Sequence, residues 1–152
     1  MAEQKFSGDE PVHLLKQFVS DSFVVYMKSY AVHWNYHGPK FFSIHKLTEG
    51  QYEEQAEAVD ALAERIRALG GKAPLSLADI LADSNITELK SVSQNQDSLI
   101  QQLYDSNVKL AQKARALAPQ LEELGDKFSH DMVVARIGAH EKAAWMLHSQ
   151  LE

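Results

Sequence analysis

Residues 33–64 read HWNYHGPKFFSIHKLTEGQYEEQAEAVDALAE and join two helical segments across a Gly-Pro break. Gly38-Pro39 stops the first segment, which we predict to be a helix from about Asp9 to His37. Apolar residues return at helical spacing after the break and predict a second helix from about Phe42 to Leu69, which Gly70-Gly71 ends. Because the connection is short, we expect these two helices to be antiparallel.

Two further long helices and one short helix are predicted after this pair. The long ones run from about Thr87 to Leu117, ending before Pro119, and from about Asp126 to Leu151. The short one covers Ser76–Leu81, where Ser76 and Asp79 have capping-box spacing. On the last helix the residues expected to face inward are Phe128, Met132, Ala135, Ala139, Ala143 and Met146.

The long connection between the second and third helices sets the expected topology. At about 20 residues it can cross the length of a bundle, as in ferritin-type folds. We therefore predict an all-α, ferritin-like four-helix bundle with a short extra helix on the long crossover between helices two and three. Residues 1–152 are expected to form a single domain, with residues 1–8 as a short flexible N-terminal tail.

The amino-acid composition and net charge exclude some classes of function. The chain has 152 residues, no cysteine and a net charge of −6, so thiolate metal sites and thiol nucleophiles are excluded. The sequence shows no signal peptide, and no run approaches the about 20 apolar residues needed to span a bilayer. We therefore expect a cytoplasmic protein. The first ten residues hold three acids against one lysine. Without a basic arm, direct DNA binding is expected to be weak or absent.

Four residues have the chemistry of a metal site: His33, His45, Asp60 and Glu64. Asp60 and Glu64 lie four apart and project from one face of the second helix. His45 and Asp60 are 15 residues apart on that helix, or about 22 Å along its axis, so they cannot share an ion within one chain. Two chains packed antiparallel about a twofold axis bring them together, giving two identical sites per dimer.

A conventional di-iron site inside one bundle is the main alternative. It needs a Glu-x-x-His motif on each of two helices. The one such motif in this sequence is Glu10 to His13, in the first turn of the first helix. The sequence therefore disfavours an intrachain site. Zinc at the four ligands, without turnover, stays open, because imidazole and carboxylate suit zinc as well as iron.

The region around these ligands resembles a known family. The motifs are His33-Trp34-Asn35, Gly38-Pro39-x-Phe41-Phe42-x-x-His45 and Glu57-Ala58-Val59-Asp60-x-x-Ala63-Glu64-Arg65-Ile66. They are similar to those of the Dps family, the miniferritins named for DNA-binding protein from starved cells. The resemblance implies a ferroxidase centre between subunits, with His33 and His45 from one chain and Asp60 and Glu64 from the other. It also implies a dodecameric hollow shell, built from twofold dimers, that oxidises Fe(II), preferentially with hydrogen peroxide, and stores Fe(III).

The same resemblance assigns further residues. Glu49 stands where the family often has Asp or His, and is expected to assist a second, weaker iron. Trp34 is expected near the irons, where it takes up stray oxidising equivalents. Asp126 and Asp131 are expected to line the pores through which iron enters, with His130 beside them. His13, His37, His140 and His148 are expected to be surface or hydrogen-bonded core residues.

Three functional questions stay open at this level. The oxidant is peroxide or dioxygen. The alternative function is that of a DNA-condensing, nucleoid-associated scaffold with little ferroxidase turnover, although the basic tail that such activity needs is absent. Protection of DNA from oxidative damage can also follow indirectly, from removal of iron and peroxide.

Overall fold

A computed structural model describes residues 9–91 and 95–152 of the chain. These residues form five α-helices: α1 (Asp9–Asn35), α2 (Phe41–Ala68), α3 (Leu77–Asp83), α4 (Asp97–Glu123) and α5 (Lys127–Ser149). The predicted bounds of α1, α2, α3 and α5 agree to within two residues. The predicted tail at residues 1–8 lies outside the described residues. None of the helices in the described ranges is both long and apolar enough to cross a membrane.

The four long helices form the predicted bundle. Helix α1 packs against α2, α4 packs against α5, and α1 also contacts α4 across the bundle, while the short α3 lies on α1. The core between the helices consists of aliphatic side chains that are fully buried, among them Leu15, Ile44, Leu62, Ile66, Ile100, Leu103, Leu110, Leu121 and Leu147. The prediction of an all-α four-helix bundle with an extra short helix on the crossover is confirmed.

The predicted start of the third long helix at Thr87 is wrong, since α4 begins at Asp97. Side chains from other elements take up the backbone polar groups of this segment. Lys28 donates to the carbonyl of Thr87 at 2.8 Å, and Gln102 bonds both the N–H and the carbonyl of Lys90. These bonds take the place of helical backbone hydrogen bonds, and the segment is not helical. Part of the predicted span, residues 92–94, lies outside the described residues.

The predicted end of the same helix, before Pro119, is also wrong. Helix α4 continues through Pro119 to Glu123. A proline inside a helix removes one backbone hydrogen bond and crowds the preceding turn. Burial of Ala118 and Leu121 around it offsets that cost. The helix ends at Glu123, and just beyond it Gly125, with a φ of 78°, allows the N–H of Asp126 to bond the carbonyl of Leu121 at 2.9 Å.

The predicted inward face of the last helix is wrong at two positions: Phe128 is 64% exposed and Ala135 is exposed, whereas Ala143 is buried as expected. Met132, Ala139 and Met146 lie at the edge of the buried face. The fully inward face consists instead of Ser129, Val133, Arg136, His140, Ala143, Ala144 and Leu147. The error arose because three of these seven residues, Ser129, Arg136 and His140, are polar, and apolar spacing does not indicate buried polar residues.

Candidate metal centre

His33 and His45 lie side by side at the end of the bundle where α1 passes to α2. Their rings stack with centroids 3.7 Å apart and planes 18° apart. The Nδ1–H of His33 donates to the carbonyl of His45 at 2.8 Å, and the Nδ1–H of His45 donates to the carbonyl of His33 at 3.0 Å. Because a carbonyl can only accept, both Nδ1 atoms must carry the proton. Each ring is left with Nε2 as the nitrogen that can bind a metal.

Thr48 lies beside this histidine pair, on α2. It is fully buried, one turn after His45, and its hydroxyl lies 3.3 Å from Nδ1 of His33. The same hydroxyl donates to the carbonyl of Ile44 at 2.6 Å, which fixes its position. Thr48 therefore helps to hold the ring of His33 in one orientation. Thr48 was not predicted from the sequence, although its place one turn after His45 indicates that it could contact the histidines.

Asp60 and Glu64 lie on the same helix as His45, and both are exposed. The turn that carries them is fixed by Arg65, which donates to Asp126 at 2.7 Å and to the hydroxyl of Ser129 at 2.9 Å. The guanidinium of Arg65 also lies 5.0 Å from the centre of the Phe128 ring. Helix α2 is thus fastened to the start of α5 beside the carboxylate pair, while the carboxylates themselves stay at the surface.

The structure keeps the histidines and the carboxylates apart. The 15 residues between His45 and Asp60 are continuous helix, so their separation along α2 is about 22 Å. Within residues 9–91 and 95–152, no group of three or more His, Asp or Glu side chains is close enough to hold a metal ion. The candidate ligands of one chain therefore fall into two separate pairs, His33 with His45 where α1 passes to α2, and Asp60 with Glu64 farther along α2.

Glu49 is one turn after His45 and is already engaged. Lys46 bonds its carboxylate at 3.0 Å, and this hydrogen bond lowers the pKa of Glu49 below its ordinary value. The carboxylate is therefore ionised at neutral pH, and an incoming cation competes with Lys46 for it.

The bundle interior holds a polar network where an intrachain metal site would lie. His140 is 2% exposed, and its Nδ1–H donates to Oδ1 of Asn107 at 2.9 Å, while Arg136 donates to Nε2 at 3.4 Å. Arg136 also pairs with Glu54. Burial, with the charge of Arg136 adding to it, lowers the pKa of His140 to about 3. A fixed guanidinium at this place opposes a second cation, which disfavours an intrachain di-iron site.

Aromatic side chains lie beside the histidines. Trp34 is 60% exposed, and its ring lies 4.8 Å from that of Tyr30. Tyr30 stacks on Tyr52 at 3.8 Å, and Tyr52 in turn meets His33 edge-on at 5.1 Å. No role was predicted for Tyr30 or Tyr52 from the sequence.

The two residues predicted to line a pore differ in their surroundings. Asp126 is 3% exposed and caps α5 by accepting from the N–H of Ser129 at 3.1 Å. Although burial raises it, hydrogen bonds from Ser129 and Arg65 hold the pKa of Asp126 below its ordinary value. Asp131 is exposed and bonds His130 at 2.9 Å and Lys127 at 3.0 Å, contacts that lower the pKa of Asp131.

Four long helices, with a short helix on the connection between α2 and α4, define an all-α class of bundle protein. The family model described as a ferritin-like domain matches residues 12–152 of the chain. A solved structure from Vibrio cholerae, titled a Dps protein and a member of a broad superfamily of ferritin-like diiron-carboxylate proteins, has 27% sequence identity and a TM-score of 0.88. That match covers 96% of this chain and 91% of the other.

Two further relatives carry the assignment to the family. The DNA protection during starvation protein of Helicobacter pylori is 30% identical over 138 residues, covering 91% of this chain and 96% of its own length. The crystal structure of a Dps protein from Bacillus brevis has a TM-score of 0.89 and 31% identity, and covers 98% of this chain and 100% of that chain. The chain belongs to the Dps family of ferritin-like proteins.

Proposed function

We propose that this protein is a ferroxidase that oxidises Fe(II), preferentially with hydrogen peroxide, and stores the Fe(III) product inside a hollow shell of its own subunits. The observation that carries the proposal is the reciprocal bonding of His33 and His45, which fixes both rings with Nε2 as the metal-binding nitrogen. Family membership supports the iron chemistry, since the Vibrio cholerae relative is titled a diiron-carboxylate protein.

The site is proposed to form between two chains. His33 and His45 of one subunit meet Asp60 and Glu64 of its partner across a twofold axis, so that each dimer holds two identical centres. The exposure of the carboxylates and their distance from the histidines on α2 support this arrangement. Imidazole nitrogen and carboxylate oxygen are ligands that suit Fe(II). Zinc suits the same ligands and is expected to compete with Fe(II).

A second Fe(II) is proposed to bind near Glu49. Two irons together supply the two electrons that reduce hydrogen peroxide to two water molecules, which avoids release of hydroxyl radical. Dioxygen is the less favoured oxidant. Protection of DNA then follows from removal of both reactants. Trp34 is proposed to take up oxidising equivalents that escape this reaction.

The shell is proposed to be a dodecamer built from the twofold dimers, with iron entering through pores lined by acidic residues. Rings of carboxylates raise the local concentration of cations. Asp131, exposed near the start of α5, is the better placed of the two proposed residues for this role, because Asp126 is buried against Arg65.

The proposal is tested by comparing Fe(II) oxidation by wild type with oxidation by a variant that lacks one ligand from each of the two half-sites, the histidine pair and the carboxylate pair. Purified protein given Fe(II) and hydrogen peroxide is expected to consume both and to build ferric absorbance, and a His33→Ala, Asp60→Ala double variant is expected to lose this activity. His13→Ala serves as the matched control, because His13 is exposed on α1 outside the site. Equal oxidation rates in the double variant and wild type would show that the site is assigned wrongly.

Assembly is tested in the same preparations by mass in solution. The expected mass is that of about twelve chains of 17.1 kDa each. A mass near that of one chain, together with an absence of iron oxidation, contradicts the proposed function.

A further inference from the structure

A cleft of about 520 Å³ lies between the later part of the crossover and the first half of α4. Thr87 and Lys90 line it from the crossover, and Lys28 reaches it from α1. Clefts that hold small molecules have volumes of about 300–1,000 Å³, so this one is large enough for such a ligand. We refer to it as the Lys28 cleft.

The ammonium group of Lys28 is buried in the wall of this cleft. Lys28 is 5% exposed, and its Nζ donates to the carbonyl of Thr87 at 2.8 Å and to the hydroxyl of Ser106 at 2.6 Å. An ammonium group has three N–H donors. One of them therefore has no acceptor among residues 9–91 and 95–152, and the two acceptors that are present carry no charge. A buried positive charge in this state is suited to an anionic ligand.

The charged side chains that line the cleft leave one positive charge in surplus. Lys28, Lys90 and Lys109 oppose the carboxylates of Glu88 and Asp105. The chain as a whole has a net charge of −6. The Lys28 cleft is therefore a locally positive place on an acidic protein, and it favours an anion over a cation.

The pKa of Lys28 indicates that its charge is not fully compensated. Burial lowers the pKa of Lys28 from 10.5 to about 8, while Asp105 opposes this shift and Lys109 adds to it. An anion bound at the spare N–H would favour the charged form of the amine and raise this pKa again. Anion binding and protonation of Lys28 are therefore coupled.

We propose that the Lys28 cleft binds a phosphate group, either inorganic phosphate or that of a small organic molecule, with the ammonium group of Lys28 as its buried anchor. Lys109 and the hydroxyl of Ser98 lie on the α4 wall of the cleft and supply further donors. Lys109 uses one of its three donors on the carbonyl of Asn85 at 2.8 Å, so two stay available for a ligand. Phosphate oxygens accept charge-assisted hydrogen bonds of this kind. None of the proposed metal ligands lines the cleft, so this site does not depend on the ferroxidase function.

The experiment measures sulfate binding to the assembled protein by isothermal titration calorimetry at constant ionic strength. Sulfate is the probe because it is a tetrahedral oxyanion like phosphate, but its own charge does not change between pH 7 and pH 9. Wild type is expected to bind one sulfate per subunit at pH 7. Because binding requires the charged form of Lys28, the apparent affinity should fall about tenfold between pH 7 and pH 9.

Two substitutions of Lys28 separate the charge of the anchor from its titration. Lys28→Met keeps the apolar stem and removes the ammonium group, so sulfate binding at pH 7 should weaken by about tenfold. Lys28→Arg keeps a charge that does not titrate in this range, so it should bind sulfate without the loss of affinity between pH 7 and pH 9. Circular dichroism checks that both variants keep the helical fold.

Lys109→Gln keeps the test decisive if the buried position does not tolerate substitution. Lys109 is exposed, and its replacement removes a charge from the cleft while Lys28 stays in place, so sulfate binding should weaken by about threefold. Lys72→Gln, at an exposed lysine that does not line the cleft, is the matched control and should bind as wild type does.

The site is wrong if wild type binds no sulfate, or if Lys109→Gln and Lys72→Gln bind it equally well. An affinity that is unchanged between pH 7 and pH 9 in wild type would exclude Lys28 as the anchor. Inorganic phosphate and glycerol 3-phosphate, compared at pH 7, then identify the source of the phosphate group. Tighter binding of glycerol 3-phosphate assigns the cleft to an organic phosphate, and equal or weaker binding assigns it to inorganic phosphate.

Discussion

Replacing His140 by glutamine should make the stability of the protein less dependent on pH between pH 7 and pH 5. In the folded chain His140 is neutral, since burial and Arg136 lower its pKa to about 3 from the ordinary 6.5. The unfolded chain binds a proton at this residue as pH falls below the ordinary value, whereas the folded chain does not. The contribution of His140 is therefore fully present above the unfolded-state pKa and is lost as pH falls from there toward the folded-state pKa.

The magnitude follows from the shift. Each pH unit within this window costs about 1.4 kcal/mol of unfolding free energy. Because of His140, the free energy of unfolding should fall by about 2 kcal/mol between pH 7 and pH 5. The figure is insensitive to the folded-state pKa, because pH 5 lies well above it. Glutamine in its place can donate to Asn107 and accept from Arg136, the two contacts that the ring makes, without titrating.

The assay is guanidinium unfolding followed by circular dichroism at both pH values and one subunit concentration, because subunit association contributes to stability. The quantity of interest is the difference between wild type and His140→Gln at pH 7 minus the same difference at pH 5. Effects of pH on assembly cancel in that comparison. His13→Gln, at an exposed histidine, is the control. If the difference between wild type and His140→Gln is equal at the two pH values, His140 is not neutral in the fold.

Three further outcomes are expected. Thr48→Val removes the hydroxyl beside Nδ1 of His33. This change should weaken Fe(II) binding, measured by titration, by about tenfold without unfolding the bundle. An unchanged affinity would mean that Thr48 does not orient the His33 ring. Lys46→Gln frees Glu49 and should tighten binding of the second Fe(II) per centre, whereas Glu49→Gln should weaken it; equal second-iron affinities in both variants would exclude Glu49 as a ligand. A gel shift with DNA in about 150 mM salt should show no complex, because the chain carries a net charge of −6; a stable complex would favour the scaffold function.

Sequence alone predicted the bundle because its signals are local. Gly38-Pro39 and Gly70-Gly71 mark helix ends through backbone geometry, and apolar spacing marks the helices between them. The rise of a helix was enough to separate His45 from Asp60. These inferences do not depend on which helices pack against each other.

Long-range contacts explain what could not be predicted. The crossover leaves the helical path because Lys28 from α1 and Gln102 from α4 bond its backbone. Helix α4 passes through Pro119 because the burial of its neighbours offsets the lost hydrogen bond. The inward face of α5 carries Arg136 and His140, whose partners lie on α2 and α4. No pattern within α5 shows that these polar residues are buried.

The candidate site likewise has some features that sequence patterns indicate and others that depend on side-chain contacts. His33, His45, Asp60 and Glu64 were predicted as ligands from spacing and motif and stay a prediction, whereas the contact of Thr48 with His33 and the stacking of Tyr30 on Tyr52 were not predicted. Hydroxyl and phenol side chains are frequent on helices, and their importance here depends on which ring or carbonyl they face. The pairing of Glu49 with Lys46 was likewise a matter of side-chain conformation, which residue spacing does not fix.

The claim that each centre is shared between two subunits is tested most directly by co-assembly of two inactive chains. One chain carries His33→Ala and His45→Ala, and the other carries Asp60→Ala and Glu64→Ala; each alone should be inactive. In a mixed dimer one centre receives both intact half-sites and the other receives neither. Half of randomly formed dimers are mixed, so an equimolar co-assembly should recover about a quarter of the wild-type Fe(II) oxidation. No recovery in dimers shown to be mixed, or full activity in either variant alone, would contradict the shared centre.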